Sequence, residues 1–107
     1  MASIGGMGNL LKQAQEMQAR MAKIQEELGQ KSVEGSAGGG MVQVTVNGQF
    51  NLVAVKIEPS VINADEKEML EDLILAAVNE GMRKARDMVS SEMSKLTGGL
   101  KIPGLMP

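Results

Sequence analysis

Met7, Leu10, Ala14, Met17, Met21, Ile24 and Leu28 follow one another at alternating steps of three and four residues. That spacing predicts a long helix whose apolar side chains form one narrow seam. A seam of this width pairs with another helix more readily than it fills a broad core. The helix would be about 30 Å long at 1.5 Å per residue. Asn9 stands where an N-cap belongs and Gly29 where the chain should stop being helical. The chain has 107 residues, enough for a single domain over 1–107. A chain of that size buries only about 60–70% of its unfolded surface. Long helices would leave part of their stripes uncovered, and self-association is the simplest remedy. Residues 1–8, rich in Gly, and 98–107, punctuated by Gly and Pro, are expected as flexible tails.

After the first helix the period changes from 3.6 to 2. A short strand is expected around Lys31 to Gly35, followed by a flexible glycine loop, Gly38–Gly40. No Lys-Ser/Thr pair or helix start follows these glycines, so the pattern is not a phosphate-binding loop. Val42, Val44 and Val46 then alternate with polar residues, and Val53, Val55 and Ile57 continue the alternation beyond Asn47-Gly48. Asn-Gly between β-branched runs predicts a two-residue hairpin with both central residues at positive φ. All six apolar side chains should meet the helices on one face, and Pro59 should end the strand. A second long helix follows, capped by Asn63 or by an Asp65/Glu68 capping box. Its seam is Leu70, Ile74, Ala77, Gly81, Ala85 and Met88. Gly81 should weaken the middle by about 1 kcal/mol relative to Ala, and it permits close approach of the helix. The order is helix, three-stranded antiparallel meander, helix, an α+β chain.

Composition excludes most catalytic chemistry. The chain has no His, Cys, Trp or Tyr, and Phe50 is its one aromatic residue. His-dependent triads, Cys nucleophiles and His/Cys zinc sites are therefore ruled out. A base-stacking surface is nearly excluded as well. No acid/base pair or activated nucleophile is visible, so no enzyme, small-molecule substrate, cofactor or metal is expected. The Glu68, Glu71 and Asp72 group reads as helix-start chemistry rather than a cation site. Ser91 and Lys95 lie one turn apart near an exposed helix end, where the Lys would not be desolvated. MASIGGMG carries no basic side chain and no long apolar run, and Leu73 to Val78 is the longest apolar run anywhere. Neither a secretory signal nor a membrane span is expected, and a soluble cytoplasmic protein is the default. Ten Met supply bulky, adaptable filler for the seam and the core.

Charge is distributed unevenly. The formal net charge is −2, with 11 Lys and Arg against 13 Asp and Glu. Residues 61–80 hold one Lys against six acids, a net −5, whereas residues 81–107 hold five cations against two acids, a net +3. On the second helix Asn79, Arg83, Arg86 and Ser90 form a stripe opposite the seam, with Lys84 beside it. Each of these groups can donate a hydrogen bond to a phosphate oxygen. Arg83 with Asp87 and Glu80 with Lys84 equally suit ordinary i,i+4 surface pairs. On the first helix Lys12, Arg20 and Lys23 lie off the seam, interleaved with Glu16 and Glu27 at i,i+4 spacing. Alone they suit a solvated, salt-bridged face. Two copies on a rigid frame would add their weak contacts.

Three strings carry a family resemblance. MGNLLKQAQEMQARMAKIQEEL in the first helix, VQVTVNGQFNLVAVKIEPSVI in the hairpin and DEKEMLEDLILAAVNEGMRKA in the second helix resemble the YbaB/EbfC family of bacterial nucleoid-associated proteins. The KQAQ-x-MQ run at Lys12–Gln18 and the LEDLI-x-AA-x-N run at Leu70–Asn79 make the likeness specific. Gly81 departs from it, since such sequences often carry Ala there. The resemblance implies a homodimer built on the strands, with helices projecting like the arms of tweezers. It also implies binding of double-stranded DNA in the cytoplasmic nucleoid with low or variable sequence preference; an architectural or regulatory role is the first reading of that expectation. It points to the outer faces of the two helices as a region. Within that region, charge and hydrogen-bonding capacity select Arg83, Lys84, Arg86, Asn79, Ser90, Lys12, Arg20 and Lys23. The alternative is a protein-interaction adaptor that uses the Met-rich seam, with DNA binding incidental. A pI near 5.1 requires any DNA contact to come from a local positive surface.

Overall fold

The computed structural model describes residues 2–97. Helix α1 covers Ala2–Gly29, strands β1 (Ser32–Ala37), β2 (Val42–Asn47) and β3 (Leu52–Ile57) follow, and helix α2 covers Lys67–Thr97. The strands form one antiparallel sheet in the order β1-β2-β3, as the alternation predicts. Helix α1 is already helical at Ala2, ahead of the cap expected at Asn9. Gly lowers helix propensity but does not forbid the conformation, and a long downstream helix propagates through it. The expected tail at 98–107 lies outside the described residues.

Helix α2 lies across β1 and β2. Val42, Val44 and Val46 are fully buried beneath Ala77 and Ala85, and Leu70, Leu73 and Ile74 pack at the margin. The closest approach is at Gly81. A Cβ there would sit 2.9 Å from the Cγ2 atoms of both Val44 and Val46. Opposite it, a Cβ on Gly35 would run into the backbone of Gly81 and Ala77. Two glycines thus let a helix backbone rest on a strand backbone.

The third strand departs from expectation. Val53 and Val55 remain 56% and 46% exposed, so two of the six side chains of the anticipated core face stay uncovered, while Ile57 packs half-buried against the core. The reason is geometric: a helix about 10–12 Å across spans two strands spaced about 4.8 Å apart, not three. A bulge between Thr45 and Val46 also makes Leu52, rather than Val53, the partner of Val46.

The turns differ in kind. Gly38, Gly39 and Gly40 take φ of 65°, 67° and 94°, so the glycine run forms a tight β1–β2 connection that other residues would strain. The Asn47-Gly48 pair does not form the expected two-residue turn. Phe50 carries the positive φ, 64°, and Asn47 Oδ1 accepts hydrogen bonds from the Gln49 and Asn51 N–H groups at 2.9 and 3.0 Å. Gly48 is needed for another reason, since a Cβ there would collide with the Leu28 carbonyl at the end of α1. Beyond β3, two short 3-10 turns lead into α2, and Asn63 caps the second by accepting from the Asp65 N–H at 3.0 Å.

Candidate nucleic-acid interface

Among the described side chains of α1, only those at its base are buried against the body. Leu28 is buried and Ile24 half-buried, whereas every described side chain from Gly6 to Lys23 is exposed. That free stretch extends about 25 Å beyond the sheet. Met7, Leu10, Leu11, Met17 and Met21 line one side of it, open to solvent. At about 100° per residue, Lys12, Arg20 and Lys23 fall within a sector of about 80° on the side away from that stripe.

The ion pairs separate the basic residues into two groups. Among the described residues, Arg83 pairs with Asp87 at 3.3 Å, Lys84 with Glu80 at 3.1 Å, Lys31 with Glu92 at 2.9 Å and Lys95 with Glu92 at 3.6 Å. Lys12, Arg20, Lys23 and Arg86 take part in none of them. The two i,i+4 pairs anticipated on α2 are therefore formed, while the salt-bridged face anticipated on α1 is not. Lys84 is turned toward the sheet, because Glu80 also accepts a hydrogen bond from the Ser36 N–H at 3.4 Å. The Lys84 hydrogen bond, with the Ser36 N–H behind it, holds the Glu80 carboxyl below its ordinary value near 4.5. Asn79, Arg83, Arg86 and Ser90 all face solvent on the side of α2 opposite Gly81, in a row about 16 Å long.

The structure thus brings the candidates together in two rows on two helices, the α1 row and the outer α2 row. Sequence reasoning passed over Lys56, exposed on β3, and Lys31. Neither belongs to a periodic charge pattern. Among the described residues no group of His, Cys, Asp or Glu could hold a metal ion, and no helix is long and apolar enough to cross a membrane.

Residues 4–100 match the model of the YbaB/EbfC DNA-binding family. This chain belongs to that family. A nucleoid-associated protein of Thermoanaerobacter pseudethanolicus is 56% identical over 99 residues, 92% of this chain and 89% of its own. A nucleoid-associated protein of Desulfotalea psychrophila is 54% identical over 99 residues, 92% of this chain and 93% of its own. Among solved structures, an uncharacterized protein from Helicobacter pylori shares the fold, with a TM-score of 0.63 at 23% identity over 78% of this chain and 96% of that one. YbaB/EbfC membership agrees with the helix–meander–helix order and makes this a chain of a DNA-binding family rather than an enzyme family.

Proposed function

We propose that this protein binds double-stranded DNA as a homodimer in the cytoplasmic nucleoid, mainly through phosphate contacts, with low sequence preference and an architectural or regulatory role. The observation that carries this reading is the projecting α1, which holds Lys12, Arg20 and Lys23 exposed and outside the four ion pairs of the described residues. Arg86, Asn79 and Ser90 add donors on the outer face of α2, and Arg83 and Lys84 contribute less because Asp87 and Glu80 already engage them. Donors of this kind position a duplex without reading its bases. Self-association is supported by β3, an edge strand whose Leu52, Val53 and Val55 remain exposed in a single chain. An exposed apolar edge of this sort calls for a cover.

The test is DNA affinity titrated against salt, together with sedimentation. The wild-type protein should sediment as a dimer and lose affinity steeply as salt rises. Replacing Lys12, Arg20 and Lys23 by Ala should reduce the slope of log K against log salt by about 0.9 for each phosphate contact removed. An unchanged slope and affinity would remove α1 from the interface. Capture of a protein partner that survives nuclease, with DNA affinity lost at physiological salt, would favour the adaptor reading that the exposed Met stripe suggests.

A further inference from the structure

We propose that the Lys31–Glu92 ion pair is the positioning element that sets the direction of the α1 arm, so that both residues control DNA binding without touching DNA. The DNA part of this inference rests on the function proposed above; the arm geometry does not. Among the described residues this is the one ion pair that joins distant parts of the chain, since the other three lie within α2. Lys31 stands just beyond the end of α1, and Glu92 lies near the far end of α2.

The arm is tied down on two sides. On one side the β2–β3 loop grips it: the Gly48 N–H donates to the Leu28 and Lys31 carbonyls, each at 3.0 Å, and Gln49 Nε2 donates to the Gln25 carbonyl at 3.1 Å. On the other side the Lys31 ammonium donates to Glu92 across 2.9 Å. Toward the loop the joint is tightly packed, whereas toward α2 it is not filled. A cavity of about 140 Å³, lined by Ile24, Glu27, Leu28, Lys31, Glu92 and Lys95, separates the base of α1 from α2. A close-packed joint would hold its angle by steric contact alone. With space left open on the α2 side, the angle of the arm toward α2 depends on the ion pair. The Lys31 hydrogen bond holds the Glu92 carboxyl below its ordinary value near 4.5.

Length amplifies the effect. A swing of about 10° at Leu28 displaces Met7, about 32 Å away, by about 5–6 Å. That exceeds the rise of about 3.4 Å per phosphate of one strand along the duplex axis, enough to slide a row of cations past its phosphates by more than one step.

The sign of one substitution separates positioning from simple charge. Glu92→Ala removes a negative charge and frees two lysines, so electrostatics alone would tighten DNA binding. Positioning requires that it weaken binding. The 107-residue chain has no Cys, so spin labels can be placed at Gln15→Cys on the arm and Ser60→Cys on the body. Dilution with excess unlabelled protein restricts the reading to distances within one chain. Lys31→Met and Glu92→Ala should each broaden or shift that distance and lower DNA affinity about two- to fivefold, the range the coupling of an exposed pair allows, with the salt slope unchanged. The charge-reversed double variant, Lys31→Glu with Glu92→Lys, should restore both readings. An unaltered distance in both single variants overturns the proposal. So does tighter DNA binding by Glu92→Ala, or a reduced salt slope in Lys31→Met, which would make Lys31 a phosphate contact. A wild-type protein that fails to bind DNA refutes the DNA reading alone, and the distance measurement then decides the pivot.

Discussion

The contact between Gly35 and Gly81 makes the sharpest demand on the packing, and two alanine substitutions should resolve it. At Gly35 the added methyl meets backbone atoms of Gly81 and Ala77, which cannot move unless α2 lifts from the sheet. Overpacking costs about 1–3 kcal/mol, and a backbone obstacle belongs at the upper end, so Gly35→Ala should destabilise by about 2–3 kcal/mol. At Gly81 the methyl meets Val44 and Val46 Cγ2 atoms at 2.9 Å. Side-chain neighbours can yield by a few tenths of an ångström, and Ala restores about 1 kcal/mol of helix propensity. Gly81→Ala should therefore cost no more than about 2 kcal/mol and come out close to neutral if the valines adjust. Urea denaturation at one fixed protomer concentration measures both, because self-association makes apparent stability depend on concentration. In thermal scans each kcal/mol should appear as about 4–8 °C, so Gly35→Ala should melt about 10–20 °C lower. Gly35→Ala as stable as the wild type would refute the backbone-on-backbone approach. A larger loss at Gly81 than at Gly35 would show that the valine side chains, not the strand backbone, limit it.

Further outcomes follow from the turns, the exposed strand and the carboxylates. Phe50→Gly should stabilise the chain by about 0.5–1 kcal/mol in the same denaturation assay, since φ 64° strains a residue with a side chain and Phe50 is 44% exposed. Val55→Asp should leave a single chain folded by circular dichroism but reduce the sedimenting species to a monomer, because Val55 is already half-exposed without a partner. With no His in the chain, stability should be flat between about pH 5 and 8. Glu80 and Glu92 both have lowered folded values, so their contribution is complete above the ordinary value near 4.5 and is lost as pH falls through the lower one. Carboxyl NMR titration should find both midpoints below 4.5, and Glu92→Gln should remove its share of the acid dependence.

Which features could be read in advance depends on how local their causes are. The 3,4 spacing from Met7 to Leu28 and the alternation at Val42, Val44 and Val46 are local, and the helix and the strand stand where those patterns lie. So do the Arg83–Asp87 and Glu80–Lys84 pairs, one turn apart on a single helix. Gly48 misleads because it serves a contact distant in sequence: it looks like half of an Asn-Gly turn, yet it is needed where Leu28 presses on the loop. The exposure of Val53 and Val55 follows from the width of α2, which no strand pattern encodes. Lys12, Arg20 and Lys23 have acids at pairing distance in sequence, but formation of an exposed pair depends on long side chains giving up rotamer freedom. Lys31 and Glu92 carry no mutual signal at all, because only the folded chain brings the end of α1 beside the end of α2.

An acidic chain can serve a polyanion if its charges are sorted by distance. The six acids of residues 61–80 lie on the body, most of them around the start of α2, whereas residues 2–23 carry three cations against Glu16, a net +2. The free arm reaches about 25 Å, about three times the Debye length of about 8 Å at physiological salt, so its outer part is screened from the acids below. Net charge then governs little beyond solubility, and the local field at the arm governs contact. The same sorting orients the encounter, since a duplex approaching from the acidic side is repelled. Moving charge along the arm should therefore matter less than moving it off the arm. Exchanging Glu16 with Lys12, which leaves the net charge and the composition untouched, should lower DNA affinity less than moving that charge to the body, because both positions lie in the free stretch. Exchanging Lys12 with Glu66 should weaken it, although the pI is the same in both variants. Equal affinities for the two exchanges would mean that whole-chain charge, and not its placement on α1, sets the interaction.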